Sequence, residues 1–335
     1  MKKERKIEFN RENDIIHISI IITGRCNANC EYCHYYAAHS RDDVNSDMDF
    51  ELFKHYISVI KYMVDNKIIG EYTYRFSGGD PLVMGNKLFK YTDYAFSVLG
   101  KKPYILTNGK GLNKNIIDKS KNHNIGAYIV SIENPFKVSK GAVKPEIAIE
   151  KIIKYNNDDL PVLPGVIIVT NDQYNNLFHI CNYIYDRIGI LPTISEMTFY
   201  DYERPTDEQL DTLTNEISKI IIKYFGKTHI ELFPYIIPEI NTLKREFLLE
   251  MNLEGTSLNL NENMIDISNQ FLQSINKNYK AISCKQKCEC SDFCSIQKWL
   301  WTMPTPTVTK EQKQEDYCKL KKAIYKGIVN GISKK

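Results

Sequence analysis

Three cysteines, Cys26, Cys30 and Cys33, fall within eight consecutive residues, in a stretch that also holds Gly24. Thiolates at this spacing can wrap a single soft metal centre. A structural zinc site takes four ligands, so zinc here would borrow a fourth, with His34 at hand. A [4Fe–4S] cluster usually takes four cysteines; held by three, it keeps one iron open for another ligand. A second group, Cys284, Cys288, Cys290, Cys294 and Cys318, lies near the C-terminus. Four thiolates close either a cluster or a zinc site, which leaves one of the five spare. Spacing alone nominates Cys288 as the spare, because ligands at 288 and 290 with one residue between them would be tight. The ninth cysteine, Cys181, sits in Leu177-Phe178-His179-Ile180-Cys181, a helical and apolar context that reads as core. Clustering and an odd total fit metal or redox chemistry better than a disulfide framework.

The elements that must position these groups alternate between strand and helix. Strand patterns cover 14–22, 72–76, 104–107, 127–132, 166–170 and 194–200. Helical periodicity covers 47–65, 87–98, 113–121, 145–155, 174–187 and 208–224. Ser46-x-x-Asp49 reads as a capping box before the first helix, and Thr206-x-x-Gln209 as a cap on the last of these. Alternation of this kind forces parallel pairing with helical crossovers. Functional residues then belong at the C-terminal ends of the strands. Cys26, Gly78-Gly79-Asp80, Asn108, Glu133 and Asn171 all follow strands and are expected around one mouth. Beyond residue 225 the pattern is less regular; 252–263 reads as a polar loop and 319–332 as a basic helix.

The spacing Cys-x-x-x-Cys-x-aromatic-Cys, with Tyr32 as the aromatic, resembles the signature of the radical S-adenosylmethionine superfamily. Ser77-Gly78-Gly79-Asp80-Pro81 is similar to that family's Gly-Gly-Glu-Pro turn, with Asp in place of Glu. Leu106-Thr107-Asn108-Gly109 and Ser131-Ile132-Glu133 resemble its strand-three and strand-four endings, so the likeness runs from about residue 14 to 202. The resemblance implies an α/β fold, a partial (βα)6 TIM-like barrel with a small C-terminal Fe–S-binding extension. It implies that the open iron binds the methionine moiety of S-adenosylmethionine. An electron then cleaves the sulfonium, and a 5′-deoxyadenosyl radical takes hydrogen from a substrate. Cys26, Cys30 and Cys33 would hold the cluster. Tyr32 would lie by the adenine. Gly78 and Gly79, with Ser77 and Asp80 beside them, would bring backbone to the methionine amino group. Asn108, Ser131 and Glu133 would reach the ribose or carboxylate. On this reading Gly79→Val lowers cofactor affinity and leaves the clusters intact.

Cys284-x5-Cys290-x3-Cys294 followed by Cys318 resembles part of the SPASM or twitch extensions of these enzymes, which carry auxiliary Fe–S clusters. A full SPASM set has seven cysteines, so one auxiliary [4Fe–4S] cluster is expected here. The implied organisation is an N-terminal extension 1–13, a barrel 14–224 and an auxiliary-cluster domain 225–335. By analogy with other members that carry such extensions, the expected substrate is a ribosomally made peptide, crosslinked or epimerised during maturation. Were the reaction an epimerisation, Cys288 would be the catalytic S–H donor. A small sugar or aminocyclitol is the alternative substrate, and a zinc-binding interaction protein the alternative class. The first strand starts by about residue 14, which leaves no room for a leader-binding domain before it. A donor such as flavodoxin or ferredoxin would supply the electron.

Composition excludes other partners. The chain has 335 residues, 43% hydrophobic and 25% charged, enough to build a core. A net charge of +3 gives no electrostatic footprint for nucleic acid. The 22 Tyr and 14 Phe fall mostly at core periodicities rather than on a stacking surface. No apolar run reaches the ~18 residues of a membrane span, and the N-terminus lacks a signal-peptide core. The expected location is therefore the cytoplasm.

Overall fold

The computed structural model describes residues 14–31, 33, 45–196, 203–228, 230–232, 235–236, 245–251, 268 and 308–334. Tyr32, His34, Cys284, Cys288, Cys290 and Cys294 lie outside the described residues.

A six-stranded sheet is built from β1 (Asp14–Thr23), β2 (Tyr72–Gly78), β3 (Tyr104–Thr107), β4 (Ala127–Val130), β5 (Val162–Pro164) and β10 (Arg245–Met251). Its order is β10-β1-β2-β3-β4-β5, and every pair is parallel. A second sheet has the order β6-β7-β8-β9, from β6 (Val166–Val169), β7 (Thr193–Glu196), β8 (Glu231–Leu232) and β9 (Tyr235–Ile236). Gly165 couples the two sheets: its N–H donates to Val130 and its carbonyl accepts from Thr193. The result is an α/β half-barrel of parallel strands, with one antiparallel pair, β8 with β9, at the edge of the second sheet.

The crossovers are α1 (Phe50–Asp65), α2 (Asn86–Leu99), α3 (Lys114–Ser120), α4 (Pro145–Tyr155) and α5 (Leu177–Ile188), followed by α6 (Asp207–Tyr224). Strand alternation decides which face they cover. Ile16, Ile18, Ile20, Ile22, Tyr74 and Phe76 are buried, and Phe76 meets Phe53 of α1 edge to face at 5.4 Å. The opposite face of β1 and β2 is polar: His17 Nδ1 lies 2.7 Å from Thr73 Oγ1, and Ser19 Oγ 2.8 Å from Ser77 Oγ. A sheet face that turns from helices toward a barrel interior reads as this alternation.

The sequence reading did not mark β5 (Val162–Pro164), and it differs in further details. Asp49, not Ser46, caps α1; its carboxylate accepts from the Glu51 and Leu52 amides. Ser46 is drawn elsewhere, because its carbonyl accepts from Gly24 N–H and residue 47 bridges Thr23. A 3-10 turn, Asn171–Asn176, precedes α5, so the helix starts later than its periodicity suggested. Finally, the stretch after residue 225 returns a strand to the barrel sheet, with β10 lying beside β1. The last helix, α7 (Lys310–Ser333), packs along α6 with Gly331 at the crossing: a Cβ there would stand 2.5 Å from that of Ile221. Arg204 holds it in a two-pronged bond to the buried Asp316. Among the described residues no helix is long and apolar enough to cross a membrane.

Candidate functional site

The chain leaves β1 at Thr23 and enters the cysteine loop, which is braced on three sides. On the first side Asp47 takes both prongs of the Arg25 guanidinium at 2.9 Å, the Thr23 hydroxyl at 2.9 Å and Lys87 Nζ at 3.1 Å. Partial burial raises the Asp47 carboxyl, and the hydrogen bonds from Arg25, Thr23 and Lys87 outweigh it, so its pKa is held below the ordinary value. On the second side Asn29 N–H donates to Gly141 O at 3.0 Å, and Glu31 N–H to Lys140 O at 3.1 Å. Glu31 returns the contact by accepting from Lys140 N–H. These residues come from the loop between β4 and α4.

The third side is formed by the turn after β2 and the end of β3. Gly79 N–H donates to Thr23 O at 2.9 Å and Asp80 N–H to Arg25 O at 2.8 Å. A Cβ on Gly78 would sit 2.0 Å from Thr23 O, and one on Gly79 2.2 Å from Arg25 O. The paired glycines therefore let the turn lie directly against the backbone that leads into Cys26. Asp80 is 0% exposed. Its carboxylate accepts from Leu82 N–H, the Thr107 hydroxyl and Asn108 N–H, all at 2.9–3.1 Å. Burial raises its pKa against those donors. The acid that departs from the Gly-Gly-Glu-Pro pattern thus serves as the knot between two strand ends.

Cys26, Cys30 and Cys33 are all partly buried in this loop, and Cys33 N–H donates to Cys30 O at 3.2 Å. Burial pushes the Cys26 thiol above its ordinary value; the Ala28 N–H opposes this, and the charges of Asp80 and Cys33 add to it. An uncompensated thiolate is therefore disfavoured here, and a bound metal centre is what would hold one. Among the described residues no group of three His, Cys, Asp or Glu side chains converges closely enough to hold a metal ion. The fit to an Fe–S cluster lies in donor chemistry and placement: three soft ligands on one braced loop at the strand-end mouth.

The structure brings Cys26, Gly78, Gly79, Asp80 and Asn108 together. Asn108 Nδ2 reaches Asn27 Oδ1 at 2.8 Å and Cys26 Sγ at 3.6 Å. Ser77 faces the polar interior through Ser19. Ser131 is exposed, and its N–H donates to Thr107 O. Glu133 is buried in a separate knot: it accepts from Asn134 N–H, and Asn134 donates to Gln173 at 3.0 Å. Cys318 lies on α7, half-buried against the apolar core. Cys181 is fully buried in α5, where burial pushes its thiol up to about 12. Arg25, Asp47, Asn27 and Gly141 were not singled out from sequence. Only the adjacency of Arg25 to Cys26 pointed to one of them.

No family model matches the chain. It is similar to the uncharacterized protein MJ0907 of Methanocaldococcus jannaschii, 29% identical over 178 residues, covering 50% of this chain and 58% of that protein. It is also similar to the radical SAM cyclopropyl synthase TigE of Paramaledivibacter caminithermalis, 25% identical over 234 residues, covering 64% of this chain and 48% of that one. The chain thus spans about half the length of the curated relatives it matches. Among solved structures, anSMEcpe with bound AdoMet superposes with a TM-score of 0.61 at 14% identity, covering 94% of this chain and 98% of that one. Native anSMEcpe with AdoMet and the Kp18Cys peptide gives 0.60 at 13% identity, covering 96% and 100%. Streptococcus suis SuiB bound to its precursor peptide SuiA gives 0.53 at 14% identity, covering 90% and 76%. The half-barrel fold is shared with these proteins.

Proposed function

We propose that this chain is a radical S-adenosylmethionine enzyme that acts on a peptide. The observation that carries the reading is the three-cysteine loop at the C-terminal end of β1, tied by backbone and carboxylate to the ends of β2 and β3. A [4Fe–4S] cluster with S-adenosylmethionine would supply hydrogen-atom abstraction by a radical derived from that cofactor.

The chain's own residues would divide the work. Cys26, Cys30 and Cys33 would hold the cluster and leave one iron open. The turn at Gly78 and Gly79 spends the Gly79 and Asp80 N–H groups on the cysteine loop. Its carbonyls are the groups suited to an ammonium, which only donates. Ser131 and Glu133, which follow β4, would be the candidates for the ribose or carboxylate, and Tyr32 the candidate for the adenine. Cys284, Cys290, Cys294 and Cys318 would bind an auxiliary [4Fe–4S] cluster, with Cys288 left as a thiol. An electron donor such as flavodoxin or ferredoxin would serve the first cluster.

Peptide substrates are supported by the company the fold keeps: anSMEcpe and SuiB share it and have been crystallised with peptides. Iron and sulfide analysis of anaerobically purified protein tests the reading. Roughly eight irons per chain fit two clusters and roughly four fit one. Zinc in place of iron contradicts the enzyme reading. A mass change in a short peptide encoded beside this gene, dependent on S-adenosylmethionine and reductant, tests the substrate class. Unmodified peptides alongside turnover of a small sugar would contradict it.

A further inference from the structure

The side chain of Asn108 has every polar group assigned within the protein. Its Oδ1 accepts from Lys110 N–H at 2.9 Å, which fixes which end of the amide is oxygen. The amide nitrogen carries two hydrogens. One goes to Asn27 Oδ1 at 2.8 Å; the other faces Cys26 Sγ at 3.6 Å. The backbone N–H of Asn108 is held by the buried Asp80 at 3.1 Å, so the amide is aimed from a fixed strand end rather than from a free loop.

We infer that Asn108 is a positioning residue that tunes the reduction potential of the Cys26-bound cluster, rather than a ligand of S-adenosylmethionine. The inference rests on the radical S-adenosylmethionine reading above. An N–H dipole aimed at a cluster sulfur stabilises the form with more negative charge, which is the reduced one. The Ala28 N–H, 3.4 Å from the same sulfur, belongs to the cysteine loop itself. Asn108 arrives from β3, so the potential of the cluster is set partly by a separate strand. The Asp80 bond to the Asn108 backbone N–H and the Lys110 N–H bond to its Oδ1 then have a purpose beyond joining strand ends: they orient the donor.

The test is an EPR-monitored redox titration of the reconstituted protein, paired with equilibrium binding of S-adenosylmethionine. Asn108→Asp keeps the shape and the oxygen for Lys110 N–H but replaces the donor at sulfur with an acceptor. Asn27→Ala leaves the Cys26 contact in place. The assignment requires a midpoint shifted to more negative values in Asn108→Asp and, by less, in Asn108→Ala. It also requires an unshifted midpoint in Asn27→Ala and S-adenosylmethionine affinity within about two-fold of wild type throughout. An unshifted midpoint in the Asn108 variants, or an affinity lowered ten-fold, overturns it. Loss of the cluster from both Asn108 variants with wild-type iron intact also overturns it, in favour of a purely structural role. A wild-type protein that binds no iron refutes the underlying enzyme reading instead.

Discussion

Gly79 and Asp80 show how a residue's task changes when its neighbours are known. From sequence, Gly79 makes room for the cofactor; in the structure the space its missing side chain leaves is already filled by Arg25 O at 2.2 Å and Gly24 O at 2.6 Å. Gly79→Val must therefore push the cysteine loop away, and the expected outcome is a loss of bound iron, read by iron analysis after reconstitution. Full iron with weakened cofactor binding would return the glycine to its sequence role. Asp80→Ala should cost about 1–3 kcal/mol of stability, because three donors lose a buried acceptor, and thermal unfolding reads the loss. The cysteines and the Gly-Gly turn were legible because their chemistry is carried by residue type and local spacing. Arg25–Asp47 was not: the partners lie twenty-two residues apart, and nothing in either segment marks the pairing. Gly141 was equally silent: its positive φ and the 1.9 Å that would separate a Cβ from Asn29 O demand glycine, but a lone loop glycine announces neither.

At the scale of elements, most strands and helices through α6 follow from period and caps; β5 (Val162–Pro164) escaped, because three residues are too short a run to show alternation. The strand at residues 245–251 escaped notice because one edge strand of mixed charge and apolarity has no helix partner to announce it. Helix α7 was read as starting near residue 319. It starts at Lys310, where Thr309 and Gln312 form a capping box. Its packing on α6 depends on small residues at the crossing. Gly331→Val should destabilise the protein by about 1–3 kcal/mol, since overpacking has no room to relax against Ile221 and the Ser218 carbonyl. Thermal melts would show this, with iron at the first cluster unchanged. The Asp47 brace predicts a pH signature. Its carboxyl is depressed in the folded chain, so the unfolded chain binds the proton first as pH falls. The contribution is present above the ordinary carboxylate pKa of about 4 and is lost as pH falls through the folded value. Asp47→Asn should therefore melt lower than wild type at neutral pH, with the gap closing under acid; a gap independent of pH would remove the carboxylate from the account.

Across the whole molecule, the polar inner face of β1 and β2 leads up to a braced loop of three thiols, with helices on the other side of the sheet. This arrangement puts reactive ligands at the open end of a rigid scaffold, where strand ends rather than loop tips set their positions. The central claim is that this loop holds a cluster that cleaves S-adenosylmethionine. The most direct measurement is the formation of 5′-deoxyadenosine on anaerobic incubation of the reconstituted chain with dithionite and S-adenosylmethionine. Wild type is compared with Cys26→Ala, Cys30→Ala and Cys33→Ala. The account predicts product from wild type and none above background from any of the three variants. Equal product from wild type and any one of them, or none from an iron-loaded wild type, would contradict it.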